Sequence, residues 1–178
     1  TETALTTPKI LINAVGGNLG KAPFIQSDLE QFEKVLKLNL TAGLMVPTKV
    51  VASYWIEKKI QGSIINLTSM ASYMPLSGVW GYNAAKAGVL NLTLATANEF
   101  SPYGIRVNAI APGPTLPNDR QTPEDFRMQV ATVLLQRGAE LAEFGRTVRF
   151  FVENRSITGQ MVALDGGQHL WEAPGAAK

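Results

Sequence analysis

Cysteine is absent from this chain of 178 residues, and histidine occurs once, at position 169. The lack of cysteine excludes disulfides, thiolate zinc sites and a cysteine nucleophile, and it is typical of proteins from the reducing cytoplasm. His169 has no second histidine or cysteine with which to share a metal ion, so we interpret it as a satisfied or solvent-facing side chain. We therefore expect a cytoplasmic protein that has no metal site.

Long apolar runs and blocks of like charge are also missing. No apolar stretch approaches the roughly 18 residues that cross a bilayer, and the opening TETALTTPKI lacks the regions of a signal peptide. The 16 basic and 14 acidic residues are scattered, without the basic run that follows a phosphate backbone. We expect neither a membrane nor a nucleic acid as partner. The length and the 46% apolar content predict a single domain over 1–178, with a short tail over 168–178.

Short apolar runs alternate with helical patterns along the chain. Runs with the length of buried strands lie at 10–12, 62–69, 105–111 and 160–164. Helical spacing covers 29–59, 82–100 and 141–151. Ser27 followed by Glu30 predicts a capping box, and Thr122 is expected to cap another helix. This alternation predicts a doubly wound α/β fold, in which a parallel sheet carries helices on both faces in three layers.

Tyr82 and Lys86 stand four residues apart on a predicted helix, so their side chains share one face. Lowering a phenol pKa from about 10 to about 7 requires roughly 4 kcal/mol of preference for the phenolate. An ammonium about 4 Å away supplies on the order of 4 kcal/mol at an effective dielectric near 20. Ser69 closes the preceding strand, at the sheet edge where open α/β folds bind ligands. The three residues predict a site for proton transfer.

Further landmarks surround this set in a fixed order. They are the turn Asn13-Ala14-Val15-Gly16, the segment Leu38-Asn39-Leu40, Ser69 thirteen residues before Tyr82, the helix start Tyr82-Asn-Ala-Ala-Lys86, the strand and turn IRVNAIAPG at 105–113, Thr158-Gly159, and Leu164-Asp-Gly-Gly167. In this order they resemble the short-chain dehydrogenase/reductase family. Ala14 and Val15 replace an Asn and an Ala of its Asn-Asn-Ala-Gly turn.

The resemblance implies a Rossmann fold and an oxidoreductase that moves a hydride between NAD or NADP and a small-molecule alcohol or carbonyl. By resemblance, Tyr82 is the general acid/base and Lys86 binds the nicotinamide ribose and lowers the pKa of Tyr82. Ser69 orients the reacting oxygen, and Asn39 holds a proton-relay water. The residues that would line the cofactor are Asn13, Ala14, Gly16, Tyr82, Lys86, Pro112, Gly113 and Thr115. A homotetramer or homodimer is also implied.

The family's Gly-rich fingerprint does not precede Ile10. In complete members, the N-terminal βαβ half supplies the pyrophosphate-binding helix terminus and the residue that selects NAD or NADP, so this choice stays open. We expect the chain to correspond to the C-terminal two thirds of such a domain. A truncated chain is the interpretation we favour over a natural fragment or a remnant without cofactor binding. An unpaired sheet edge would make such a piece prone to aggregation by itself.

The sequence is compatible with two classes of substrate. The stretch 13–113 resembles oxidoreductases of sugar acids and polyols, such as mannonate and gluconate. The segments 120–126 and 162–170 resemble pteridine reductases, in which a dihydropterin accepts the hydride. A third hypothesis is a catalytically silent member that binds a nucleotide or a partner. Tyr73 and Trp80 could shape a pocket or simply pack, and Arg120 could pair with a substrate carboxylate or stay solvated.

Overall fold

A computed structural model describes residues 7–118 and 121–170. Its sheet has four parallel strands in the order β1-β2-β3-β4. The strands are β1 (Ile10–Asn13), β2 (Ser63–Leu67), β3 (Arg106–Pro112) and β4 (Met161–Leu164). Each predicted strand is confirmed, with ends that differ by one or two residues from the sequence prediction. The carboxyl ends of all four strands meet at one edge of the sheet.

Within the described residues, five α-helices connect and cover these strands. They are α1 (Leu29–Leu36), α2 (Val46–Glu57), α3 (Trp80–Phe100), α4 (Pro123–Ala131) and α5 (Leu141–Glu153). A π-helical segment, Lys37–Met45, joins α1 to α2, so that one continuous helix runs over the predicted span. The described tail begins with a 3₁₀ turn, Gln168–Leu170.

The sheet carries a hydrophobic core on each face, which confirms the doubly wound, three-layer α/β fold. On one face Ile64 and Val107 pack with Trp55 of α2 and Ala97 of α3. On the opposite face the strand residues Ile65 and Ile110 pack against Phe151 of α5. Successive strand residues point to opposite faces, so a strand buried on both faces reads as a continuous apolar run.

The first long helix begins differently from the prediction. Ser27 does not cap it, because the Ser27 hydroxyl donates to the carbonyl of Phe24 at 2.6 Å and closes a preceding 3₁₀ turn. Asp28 is the N-cap, and its carboxylate accepts from the backbone N–H of Glu30 at 2.9 Å. An aspartate satisfies the free N–H groups of a first turn as well as serine does.

The predicted cap of α4 is confirmed. The Thr122 hydroxyl accepts from the backbone N–H of Asp125 at 3.1 Å, and the Asp125 carboxylate accepts from that of Thr122 at 3.0 Å. This reciprocal pair is a capping box. It fixes where α4 starts, beside the edge formed by the strand carboxyl ends.

A buried chain of polar side chains ties β1 and β2 to the helices on one face. The Asn13 amide donates to the hydroxyl of Thr48 and to the carbonyl oxygen of Asn66, both at 2.9 Å. Asn66 in turn donates to the hydroxyl of Thr93 at 2.9 Å. All four side chains are buried, so the network holds α2 and α3 in register with the strands.

The helix over Leu29–Glu57 has a mean hydropathy of 1.3 in its most apolar window and is long enough to cross a membrane. The sequence expectation of no such stretch is therefore wrong by this measure. A core helix of a soluble α/β domain has the same length and composition. Here Val35, Leu44 and Trp55 of this helix are buried in the fold, and we assign it to a layer of the α/β sandwich.

Candidate active site

Ser69, Tyr82 and Lys86 come together at the carboxyl edge of the sheet, as predicted. Ser69 follows β2 and starts a 3₁₀ turn, Met70–Ser72. Tyr82 and Lys86 lie in the first two turns of α3. Thr68 joins the two elements, because its hydroxyl donates to the backbone carbonyl of Lys86 at 3.0 Å. Sequence reasoning missed this contact, since nothing in the run before Ser69 identifies Thr68 as a link to a helix eighteen residues later.

The phenol of Tyr82 is half-buried and hydrogen-bonds to the hydroxyl of Ser69. Burial raises the pKa of Tyr82, and the bond to Ser69 lowers it in part. The expected lowering of this pKa by Lys86 is wrong in this structure. The Lys86 Nζ lies over the ring, 5.6 Å from its centroid, and donates to the carbonyl of Leu67 at 2.9 Å.

Lys86 is itself buried, and burial lowers the pKa of its ammonium to about 8. An ammonium carries three N–H groups, and Leu67 takes one of them. Among the described residues, the hydrogen bonds leave the other two without an acceptor. Gly16 lies beside this ammonium: a Cβ at Gly16 would stand 3.1 Å from Lys86 Nζ and 2.5 Å from Asn39 Oδ1. Only glycine fits there.

Asn39 lies in the π-helical segment and is buried. Its Oδ1 accepts from the backbone N–H of Gly17 at 3.0 Å, and its Nδ2 donates to the carbonyls of Gly17 and Val35 at 2.8 and 2.9 Å. These bonds hold the loop after β1 against Lys86. The π-helical segment is consistent with a functional position, because π-bulges occur frequently at such sites. The water-relay role of Asn39 stays a prediction.

The predicted cofactor residues divide into two groups. Ala14 and Gly16 are exposed just beyond β1, and Pro112 and Gly113 line a cleft in front of Tyr82. Five of the predicted cofactor residues do not line this cleft; they are Asn13, Ala14, Gly16, Lys86 and Thr115. The Asn13 side chain is taken up in the buried polar network, and the side chain of Thr115 borders a second cavity, of about 860 Å³, between α4 and the loop before α5.

The cleft beside Ser69 and Tyr82 has a volume of about 810 Å³, within the range of small-molecule and cofactor sites. Its walls include Thr68, Met70, Leu76, Val79, Pro112 and Gly113. Five carboxamide side chains also border it: Asn18, Asn118, Gln121, Gln129 and Gln168. No Asp, Glu, Lys, Arg or His is among the described residues that line this cleft. Sequence reasoning missed the carboxamides, because single Asn and Gln residues in loops and on a surface helix carry no recognisable spacing.

Two aromatic residues near the site pack against other parts of the fold. The indole N–H of Trp80 donates to the carbonyl of Ala22 at 3.0 Å, and its ring meets Phe24 edge-on. Tyr73 packs edge-on against His169, with 5.6 Å between ring centroids. Neither aromatic side chain borders the cleft.

His169 is satisfied, as expected. Its Nδ1 lies 2.7 Å from the buried carboxylate of Asp165, which also accepts the backbone N–H groups of Gly167 and His169. Burial near Asp165 raises the pKa of the Tyr73 phenol to about 12. Arg120, for which pairing with a substrate carboxylate was considered, lies outside the described residues.

Known proteins are similar to this chain in sequence and in fold. A family model described as enoyl-(acyl carrier protein) reductase matches residues 1–169. Glucose 1-dehydrogenase of Gluconobacter oxydans is 35% identical over 80% of this chain and 56% of its own length. A 3-oxoacyl-[acyl-carrier-protein] reductase of Synechocystis is 36% identical over 83% of this chain and 60% of its own length. The chain thus spans less than two thirds of these relatives.

Among solved structures, FolM alternative dihydrofolate reductase 1 from Brucella suis, in complex with NADP, superimposes with a TM-score of 0.85. It is 40% identical, and the match covers 93% of this chain and 66% of the other. Fold, site and relatives agree, and the chain belongs to the short-chain dehydrogenase/reductase family.

Proposed function

We propose that this chain is the catalytic part of an NAD(P)-dependent oxidoreductase that reduces a dihydropterin-like substrate. The observation that carries the proposal is that Ser69 and Tyr82 line one cleft at the carboxyl edge of the sheet, with the Lys86 ammonium over the Tyr82 ring. The proposal covers both NAD and NADP, because solved relatives contain NADP in one case and NAD+ in another.

The residues beside β1 fit the ribose end of a nicotinamide nucleotide. The buried Lys86 ammonium has two N–H groups with no acceptor among the described residues, and a ribose diol offers two oxygen acceptors. Gly16 leaves room for close approach at this point. A bound reduced nicotinamide would supply the hydride, which adds to the ring carbon of the substrate C=N bond.

Tyr82 supplies the accompanying proton in this proposal. Because burial raises its pKa, the phenol is protonated at neutral pH and suits the direction of reduction. Ser69 hydrogen-bonds to the phenol and holds it at the mouth of the cleft. The ring carbon gains the hydride and the adjacent nitrogen gains one proton, so the C=N bond becomes a CH–NH single bond and the nicotinamide is oxidised.

Two observations favour a pterin over a sugar acid. The solved relative with 40% identity is an alternative dihydrofolate reductase. In addition, no described residue lining the cleft is charged, whereas a sugar acid brings a carboxylate that costs free energy to bury without a cation. A neutral polyol or sugar is the second candidate, which the 35% identity to glucose 1-dehydrogenase supports.

The test is to assay the full-length protein by loss of NADPH absorbance with dihydropterin, and by NAD(P) reduction with glucose, gluconate and mannonate. We expect turnover of dihydropterin, and the Tyr82→Phe variant should lose activity by about 10²- to 10⁴-fold. Tyr103→Phe, at an exposed tyrosine of the 3₁₀ turn Ser101–Tyr103, is the matched control. Full activity of Tyr82→Phe would contradict the mechanism, and turnover of sugars alone would contradict the pterin assignment. Cofactor binding without any turnover would support the silent-member hypothesis.

We also propose assembly into a homotetramer or homodimer and a cytoplasmic location. Support for assembly comes from an apolar stripe on α2, formed by Val46, Val50 and Tyr54 at intervals of four residues. Their side chains are 53%, 64% and 45% exposed. A stripe of this kind on a helix marks a contact surface for another helix.

A further inference from the structure

Three carboxamides form a hydrogen-bonded series along one wall of the cleft. The Asn118 side chain donates to Gln121 Oε1 at 2.7 Å, and Gln121 Nε2 donates to Gln129 Oε1 at 2.7 Å. Gln129 is half-buried on α4 and borders the cleft. The capping box at Thr122 fixes the start of α4 between the second and third members of the series.

The direction of this series is set by the backbone. The backbone N–H of Asn118 also donates to Gln121 Oε1, at 3.2 Å. A backbone N–H is only a donor, so the oxygen of the Gln121 amide must face Asn118 and its NH₂ group must face Gln129. The atom of Gln129 that meets this NH₂ group must then be its oxygen, Oε1. The series therefore has one consistent orientation.

This orientation leaves the Nε2 of Gln129 as the unused end. Among the described residues, Gln129 Nε2 makes no hydrogen bond, while its Oε1 is held by Gln121. A carboxamide with a fixed oxygen cannot rotate to offer an acceptor instead. Gln129 thus presents N–H donors toward the cleft and is poorly suited to a substrate group that is itself a donor.

We infer that Gln129 determines substrate specificity by donating a hydrogen bond from Nε2 to the oxo group of the pterin ring. This inference rests on the proposed function and extends it to the recognition of one substrate atom. A neutral donor matches a neutral oxo group, and the cleft has no charged lining side chain among the described residues that would compete for it. Sites that hydrogen-bond a substrate group discriminate strongly against analogues that cannot make the bond.

The test replaces the donor by an acceptor of the same shape. In Gln129→Glu, the Gln121 amide still donates to a carboxylate oxygen, while the second oxygen faces the cleft. We expect the KM for dihydropterin to rise by about 10-fold or more with kcat changed by less than about 3-fold. The inhibition constant of a 2,4-diaminopteridine, in which an amino group replaces the oxo group, should fall in the same variant. The KM for NADPH should stay the same.

Two further variants complete the experiment. Gln129→Met offers neither donor nor acceptor, so it should bind dihydropterin more weakly and lose the preference between oxo and amino compounds. Gln26→Glu adds the same charge at an exposed 3₁₀ turn far along the chain and should match the wild type. If oxo substrate and amino inhibitor shift in the same direction in Gln129→Glu, or neither shifts, the inference is wrong. A wild-type protein without dihydropterin turnover would instead refute the proposed function and, with it, this inference.

Discussion

Replacing Lys86 by Met should separate stability from catalysis. Burial lowers the pKa of the Lys86 ammonium from its ordinary value of 10.5 to about 8. Between these two pH values the folded protein has released a proton that the unfolded chain still holds. Unfolding then takes up a proton, so the contribution of Lys86 to stability rises with pH through this window. At about 1.4 kcal/mol per pKa unit, the full rise is about 3 kcal/mol, and about 2 kcal/mol of it falls between pH 7 and 9.5.

The Lys86→Met variant has no such titration. At pH 7 it escapes the cost of a buried ammonium, about 3 kcal/mol, but leaves the carbonyl of Leu67 without its donor, at about 1–3 kcal/mol. Its free energy of unfolding should therefore lie within about 2 kcal/mol of the wild type at pH 7. Catalytic activity should be lost, because the group that contacts Tyr82 and Gly16 is gone.

Urea denaturation of both proteins at pH 7 and pH 9.5, followed by circular dichroism, measures the effect. On going to the higher pH, the free energy of unfolding of the wild type should rise by about 2 kcal/mol relative to that of Lys86→Met. Other titrating groups cancel in this difference. Lys58→Met, at an exposed position beside Glu57, controls for the loss of a surface lysine. If the two proteins keep the same difference in stability at both pH values, the ammonium is not buried as this structure shows.

Two further outcomes follow from the fold. Asn66→Ala removes the central member of the buried polar network and leaves Asn13 and Thr93 without their shared partner. We expect the free energy of unfolding, measured by urea denaturation, to fall by about 2–4 kcal/mol. A fall below about 0.5 kcal/mol would contradict the role of the network. Val50→Asp places a charge in the exposed apolar stripe of α2, and sedimentation velocity should show a smaller assembly than the wild type; an unchanged mass would exclude this stripe as the contact surface.

The sequence predicted the elements well wherever one short pattern determines the local structure. Runs such as 105–111 are rich in apolar residues and end at the Pro112-Gly113 turn, and they identified buried parallel strands. The Thr122 cap was correct because a single turn decides it. The Ser27 cap was wrong because two neighbouring residues could each accept the first free N–H group. The preceding 3₁₀ turn takes the Ser27 hydroxyl, and a pattern of three residues does not contain that turn.

The catalytic residues were found because their chemistry depends on spacing within one helix and on the end of one strand. Ser69, Tyr82 and Lys86 come together for this reason, and the order of landmarks along the chain identified the family. The pKa shifts of these residues could not be predicted from the sequence in the same way. The expected lowering of the Tyr82 pKa by Lys86 was wrong because burial, which raises this pKa, is the larger effect, and the fold bonds the ammonium to a strand carbonyl.

The sequence by itself determined the fold class, the family and the proton-transfer residues, because each is encoded in local periodicity or in motifs of a few residues. Only the tertiary structure decided which side chains face the cleft. The Asn13 side chain is hydrogen-bonded inside the core, and Gly16 lies against Lys86 and Asn39. Gln129 gains its donor role from Gln121 and Asn118, which lie eight and eleven residues before it in the sequence. Such roles depend on contacts between distant segments, and those exist only once the hydrophobic cores have packed.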